Sequence, residues 1–119
     1  MKEEFKKQYS EAVKLHEAGQ FESAKKLLLD LAEKDPKSTA VLAILGHVCL
    51  DMGDLDKAVS VFKRAVELSP TLEAVSLGLF HSLWKLEKHV EALEEVKRFQ
   101  SISDSEDYRE IVKEIKEKW

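Results

Sequence analysis

Cysteine is almost absent: Cys49 stands alone, so no disulfide can form within the chain. A single thiol fits a reducing compartment. Glycine and proline are scarce too, with 4 and 2 among 119 residues. Alongside 44 % hydrophobic and 35 % charged residues, this is the make-up of a soluble, mostly helical protein. It is too apolar for a disordered acidic tail. No apolar run approaches the roughly 18 residues that span a bilayer, so no membrane partner is expected. The start, Met1-Lys2-Glu3-Glu4-Phe5, is charged and lacks the apolar stretch of a signal peptide. A cytoplasmic location is expected on these grounds.

No excess of basic charge exists either. The 19 basic and 23 acidic side chains give a net charge of -4, with the signs interspersed. Without a basic stripe to neutralise phosphates, nucleic acid is not an expected partner. The chain also lacks a glycine-rich phosphate loop, a nucleophile motif and any Cys/His spacing suited to a metal. No catalytic residue, cofactor or metal is assigned, and an enzyme is not expected. The length suffices for one domain, 1–119, with a core that needs no staples. A start at Met1 and a final helix fit a complete small protein.

What the chain does have is a 34-residue echo. Gly19 is answered by Gly53, Ala24 by Ala58 and Ala92, and Pro36 by Pro70. Leu28, Phe62 and Val96 share one phase, and Leu15, Cys49 and Leu83 another. A period of this length with two helical halves predicts a stacked array of helical hairpins.

Seven helices are expected, at roughly 3–17, 21–34, 38–51, 55–68, 72–86, 89–101 and 105–118. Gly19 and Gly53 sit just past the first helix of a pair, where a left-handed residue commonly ends a helix. Pro36 and Pro70 follow the second helix, which cannot continue through them without losing a donor. Ser38 or Thr71 is placed to cap the helix after it, and Asp54 to cap 55–68. That helix is apolar over more than half its circumference, as an inner layer requires. Its small Ala58 and Ala65 allow close approach, and Phe62 fills the gap between helices.

These residues resemble the tetratricopeptide repeat. The unit 39–72 carries Leu42, Leu45-Gly46, Cys49, Gly53, Leu55, Ala58, Phe62, Ala65 and Pro70 at the family's offsets. The unit 5–38 keeps Ala12, Leu15, Gly19, Phe21, Ala24, Leu28 and Pro36. Glu11 replaces a buried leucine there, as suits an end repeat with no preceding neighbour. The unit 73–104 keeps Leu79, Leu83, Ala92 and Val96, but Phe80 replaces a small residue, Glu87 the turn glycine and Asp104 the closing proline. Residues 105–118 read as a capping helix. Ser103-x-x-Glu106 has the form of a capping box, and Tyr108, Ile111, Val112, Ile115 and Trp119 form one apolar stripe. The resemblance implies an all-α, right-handed helical-hairpin solenoid of three repeats with a C-terminal capping helix.

The resemblance also implies a function. In this family the first helix of each pair lines a concave groove that binds another protein or peptide. The matching positions include Tyr9 and Val13, then Ala40, Ala43, Ile44 and His47, then Ala74, Leu77, Gly78, His81 and Trp84. The middle of this surface is small and apolar, which suits an amphipathic helix or an extended apolar peptide. A carboxylate clamp, as in some co-chaperones, is not expected. Its basic and amide positions fall here on Tyr9, Val13, Ile44, Ala74 and Gly78. His47 and His81 are one period apart, with Asp51 one turn beyond His47 and His16 on the same face of the first repeat. They read as polar groove lining, with Asp51 paired to His47 or Lys85. The expected role is a non-catalytic adaptor, assembly factor or chaperone. The alternatives are a self-assembling unit that pairs through the third repeat and last helix, and a small bacterial secretion chaperone.

Overall fold

The computed structural model describes residues 2–118, except the side chain of Lys2. Among these residues the chain forms α1 (Lys2–Glu17), α2 (Phe21–Lys34), α3 (Thr39–Asp51), α4 (Leu55–Leu68), α5 (Glu73–Lys85), α6 (His89–Gln100) and α7 (Glu106–Lys118), and no strand. The first six helices pack as consecutive antiparallel hairpins. α1 and α5 each also approach α3, so the first helices of the pairs line up along one side. The extents are 47 × 26 × 20 Å and the radius of gyration is 14.9 Å. A chain of this size packed into one ball would have about 13.5 Å. The elongation is that of a solenoid with its first-helix ladder on one side.

The three hairpin turns close identically. Gln20 N–H bonds to Leu15 O at 2.9 Å, Asp54 N–H to Cys49 O at 2.9 Å, and Lys88 N–H to Leu83 O at 2.9 Å. This six-to-one bond requires a left-handed residue just before the donor. Gly19 (φ 77°) and Gly53 (φ 79°) supply it in two turns, and Glu87 (φ 61°) in the third. The expected loss of the turn glycine therefore changes the residue and leaves the turn intact.

Phe62 is fully buried and holds the centre of the array. A Cβ added at Gly46 on α3 would stand 2.7 Å from its ring, and one added at Gly78 on α5 only 2.4 Å. The ring is thus clamped between two helix backbones, possible only because both positions lack a side chain. Ala12, Ala24, Ala58, Ala65 and Ala92 are likewise fully buried. Cys49 is buried, and burial raises its thiol pKa, so the thiol is a packing group. Glu11 is exposed, as an end position allows.

Three capping expectations need correction. Ser38 does cap α3, accepting from Val41 N–H at 3.3 Å. Leu72, not Thr71, occupies the cap position of α5, with no side-chain bond. Asp54 precedes α4 but makes no cap bond. Its carboxylate turns to Lys25 Nζ at 3.3 Å, an ion pair between successive hairpins. The cap of α7 is Ser105, which accepts from Tyr108 N–H at 3.1 Å, so the capping residue lies two places after Ser103. Trp119 lies outside the described residues.

Candidate functional site

The candidate groove residues lie on α1, α3 and α5, which line up along one side of the array, and helical spacing sends one face of each away from its hairpin partner. Tyr9 and Val13 of α1 are half-buried there. Ala40 of α3 is exposed, and Ala43, Ile44 and His47 follow it half-buried. On α5, Ala74 and His81 are exposed while Leu77 and Trp84 are half-buried. Of these, Tyr9, Ala43, Ile44, Leu77 and Trp84 combine partial exposure with packing against the core behind them.

Gly78 is a correction. It is buried, pressed against Phe62, and belongs to the repeat packing. A position without a Cβ shows nothing of its own to solvent where a large ring fills the space beside it.

The polar groups of this wall pair differently from the sequence expectation. Asp51 Oδ2 lies 2.8 Å from His16 Nε2, an interaction that ties α3 to α1. His47 sets its ring edge-on to Phe62 with centroids 5.0 Å apart. Burial lowers the His47 pKa, with Asp51 opposing and His16 and His81 adding to the shift. His81 is lowered as well, by burial and then by Lys85. Among the described residues no group of three or more His, Cys, Asp or Glu side chains is placed to hold a metal ion.

Sequence reasoning placed α7 as a cap, and the structure gives it a second part. A crevice of roughly 270 Å³ lies between α5 and α7, with Phe80, His81 and Trp84 on one side and Ile111, Ile115 and Lys118 on the other. Phe80 stacks on Trp84 (centroids 5.6 Å, 24°), and Trp84 meets His89 at 4.1 Å. The last helix thereby adds a face of its own beside the candidate groove residues His81 and Trp84.

What holds α7 there is a buried polar network. Ser76 donates to Glu95 Oε2 at 2.6 Å and stands 2.7 Å from the Tyr108 hydroxyl. Arg98 clasps Glu95 with Nε at 2.8 Å and Nη2 at 2.7 Å, and reaches Pro70 O with Nη1 at 3.1 Å. The Glu95 bond is the main cause of the raised Arg98 pKa. Burial pushes the Tyr108 phenol far above its ordinary range. The signal was present in the sequence. Ser76 and Glu95 stand one period after Leu42 and Val61, exchanging an apolar pair for a polar one.

Residues 40–72 match the tetratricopeptide repeat family. That segment is a tetratricopeptide repeat. It spans α3 and α4, the pair that carries Phe62, Ile44 and His47. The whole arrangement is similar to the type III secretion chaperone SycD of Yersinia enterocolitica, solved with a peptide of the translocator YopD. The TM-score is 0.83 at 18 % identity, over 97 % of this chain and 88 % of that one. A MamA point mutant matches with a TM-score of 0.78 at 24 % identity, over 86 % of this chain and 74 % of that one. Identities this low show the fold alone. A further MamA structure gives 0.75 at 26 % identity, over 82 % of this chain and 56 % of that one. No helix among the described residues is long and apolar enough to cross a membrane.

Proposed function

We propose that the chain is a non-catalytic protein-binding module, an adaptor, assembly factor or chaperone, whose concave groove takes an apolar helix or peptide. The observation that carries this reading is the run of small, partly exposed apolar residues on α3 and α5: Ala40, Ala43, Ile44, Ala74 and Leu77. An apolar strip with small side chains leaves room for a second backbone. Trp84 and Tyr9 stand at its two ends as aromatic anchors, the residue types that most often dominate binding energy. The SycD structure, solved with a translocator peptide, supports the choice of a peptide or helix as occupant and makes a secretion-chaperone role the narrower form of the reading.

The test is a crosslinked pull-down from the source cell's lysate with wild type and with Ile44→Glu/Leu77→Glu, its fold checked by circular dichroism. A protein held by wild type and released by the variant supports the groove. Equal capture by both would sink it and move binding to the convex face or α7.

A second reading is favoured by a separate observation. Val90 (75 % exposed), Leu93 (40 %) and Ile102 (50 %) lie on and just after α6. Leu93 stands one period after Val59, which is buried. This end face could pair two chains. Sedimentation showing a monomer at every concentration would remove that reading.

A further inference from the structure

The first-helix side of the array carries three histidines, with Asp51 and Lys85 near them, beside an apolar strip. His47 and His81 occupy the same register on α3 and α5, and His16 of α1 completes the row through Asp51. Each lies beside the apolar strip. Ile44 is three residues before His47, and Leu77 four before His81, so each histidine shares a helical face with a central groove residue. When uncharged, the imidazoles are compatible with an apolar ligand. Protonated, they place positive charge where that ligand must exclude water, which is strongly unfavourable.

We infer that the histidine row makes the groove a pH-gated surface that accepts an uncharged apolar helix face near neutrality and releases it in mild acid. The inference rests on the groove reading above. The surroundings of each ring set the gate. His47 faces His16 from α1, Asp51 on its own helix and His81 from α5, while α4 presents the Phe62 ring. His81 has Lys85 one turn along its own helix, and Glu114 and Lys118 of α7 share its crevice, paired with each other at 3.1 Å. His89 of α6 lies one step further, against Trp84. One carboxylate, Asp51, is already engaged by His16, so it cannot neutralise all three histidines. Partial desolvation lowers the pKa of both His47 and His81, which favours their uncharged forms, in line with this placement.

Nile red, an uncharged apolar dye, is a suitable probe. Its affinity is measured at about pH 7.5 and pH 5 for wild type, His47→Gln/His81→Gln and Ile44→Glu/Leu77→Glu, with helix content followed throughout. The gate predicts a loss of about tenfold or more in wild type on acidification, as the His47 and His81 rings take up protons. The histidine variant should hold its affinity within about twofold across the same range. An equal acid loss in that variant overturns the gate. So does a wild type without acid loss whose binding Ile44→Glu/Leu77→Glu abolishes, a result that leaves the groove reading standing. Unchanged dye binding by Ile44→Glu/Leu77→Glu overturns both. Should the histidine variant fail to fold, the imidazole Cε1–H resonances of wild type decide. Midpoints for His47 and His81 that lie between about pH 5 and 7.5 and fall when Nile red binds support the gate, and midpoints that the dye leaves unmoved overturn it.

Discussion

The Tyr108 hydroxyl lies 2.7 Å from that of Ser76, and this one bond joins the last helix to the array's buried charge. Ser76 has a single proton, and it is committed to Glu95. Tyr108 must therefore be the donor to Ser76. The chain runs Tyr108 to Ser76 to Glu95, with Arg98 closing the carboxylate from the other side. No buried side-chain N or O atom among the described residues lacks a partner. α7 is thus oriented by a specific polar contact as well as by apolar burial.

Tyr108→Phe removes only that donor and should cost about 1 kcal/mol, the usual value of a neutral hydrogen bond. Glu95→Ala strands Arg98 and Ser76 together and should cost more, about 1.5–3 kcal/mol. The Arg98 side chain is a third exposed, so water can recover part of that loss. Urea denaturation of the two variants checks the order. A Tyr108→Phe variant as damaged as Glu95→Ala would mean that the hydroxyl, and not the ring the variant retains, carries the junction.

Glu87 adopts φ 61° in a turn where the other two hairpins use glycine. A residue with a Cβ is strained in that conformation by roughly 1–2 kcal/mol. Replacing it with glycine relieves the strain but loosens the unfolded chain, which takes back roughly 0.4–1 kcal/mol. Glu87→Gly should therefore raise stability by about 0.5–1 kcal/mol. Gly19→Ala and Gly53→Ala should lower it, although nothing lies within 4 Å of either added Cβ. Thermal melts of the three variants test the contrast, and a destabilised Glu87→Gly would contradict it.

Most of the helical frame was legible because packing repeats. A 34-residue period constrains the same few positions in each hairpin, so Gly19 and Gly53, Ala58, Phe62 and Pro70 announced turns, close contacts and helix ends. The Asp54 and Ser103 errors share one cause. A short polar side chain near a helix start can cap it or bond elsewhere, and only the tertiary position of Lys25 or the true start of α7 decides. The His16–Asp51 pair was missed for a related reason. Its two members are 35 residues apart, and which histidine reaches Asp51 depends on how far α1 and α3 are offset. Gly78 was misplaced because register along a helix does not reveal whether a neighbouring ring has already filled the space.

Stability should fall with acid in a specific window. The folded pKa of both His47 and His81 is depressed, chiefly by burial. The unfolded chain therefore binds protons more readily than the folded one as pH drops below the ordinary value of 6.5. The stabilisation is fully present above that value and is lost as pH falls through the folded pKa of each ring. Urea midpoints measured between about pH 7.5 and 5 should decline for wild type and decline less for His47→Gln/His81→Gln. A rising wild-type curve over that window would reverse the sign of the argument.

The packing of Phe62 gives a prediction in which two effects oppose each other. Alanine is a better helix former than glycine by about 1 kcal/mol, so propensity alone favours Gly78→Ala. The added Cβ would stand 2.4 Å from a ring that is itself fully buried. Overpacking of a tight core typically costs about 1–3 kcal/mol, and a clash this close belongs at the upper end. Sterics should win, leaving Gly78→Ala destabilised by about 1–2 kcal/mol. Gly46→Ala, with a Cβ 2.7 Å from the same ring, should be milder. Phe62→Leu removes the obstructing ring atoms at a cost of its own, and in that background Gly78→Ala should cost little. The double-mutant cycle should therefore show a favourable coupling of about 1 kcal/mol or more between positions 62 and 78. The third hairpin supports the exchange of volumes behind this expectation. There the equivalents of Gly46 and Phe62 are Phe80 and Val96, both buried, with the large residue moved to the first helix and the small one to the second. Additive effects in the cycle would show that α5 shifts to admit the methyl group and that the ring does not set the spacing.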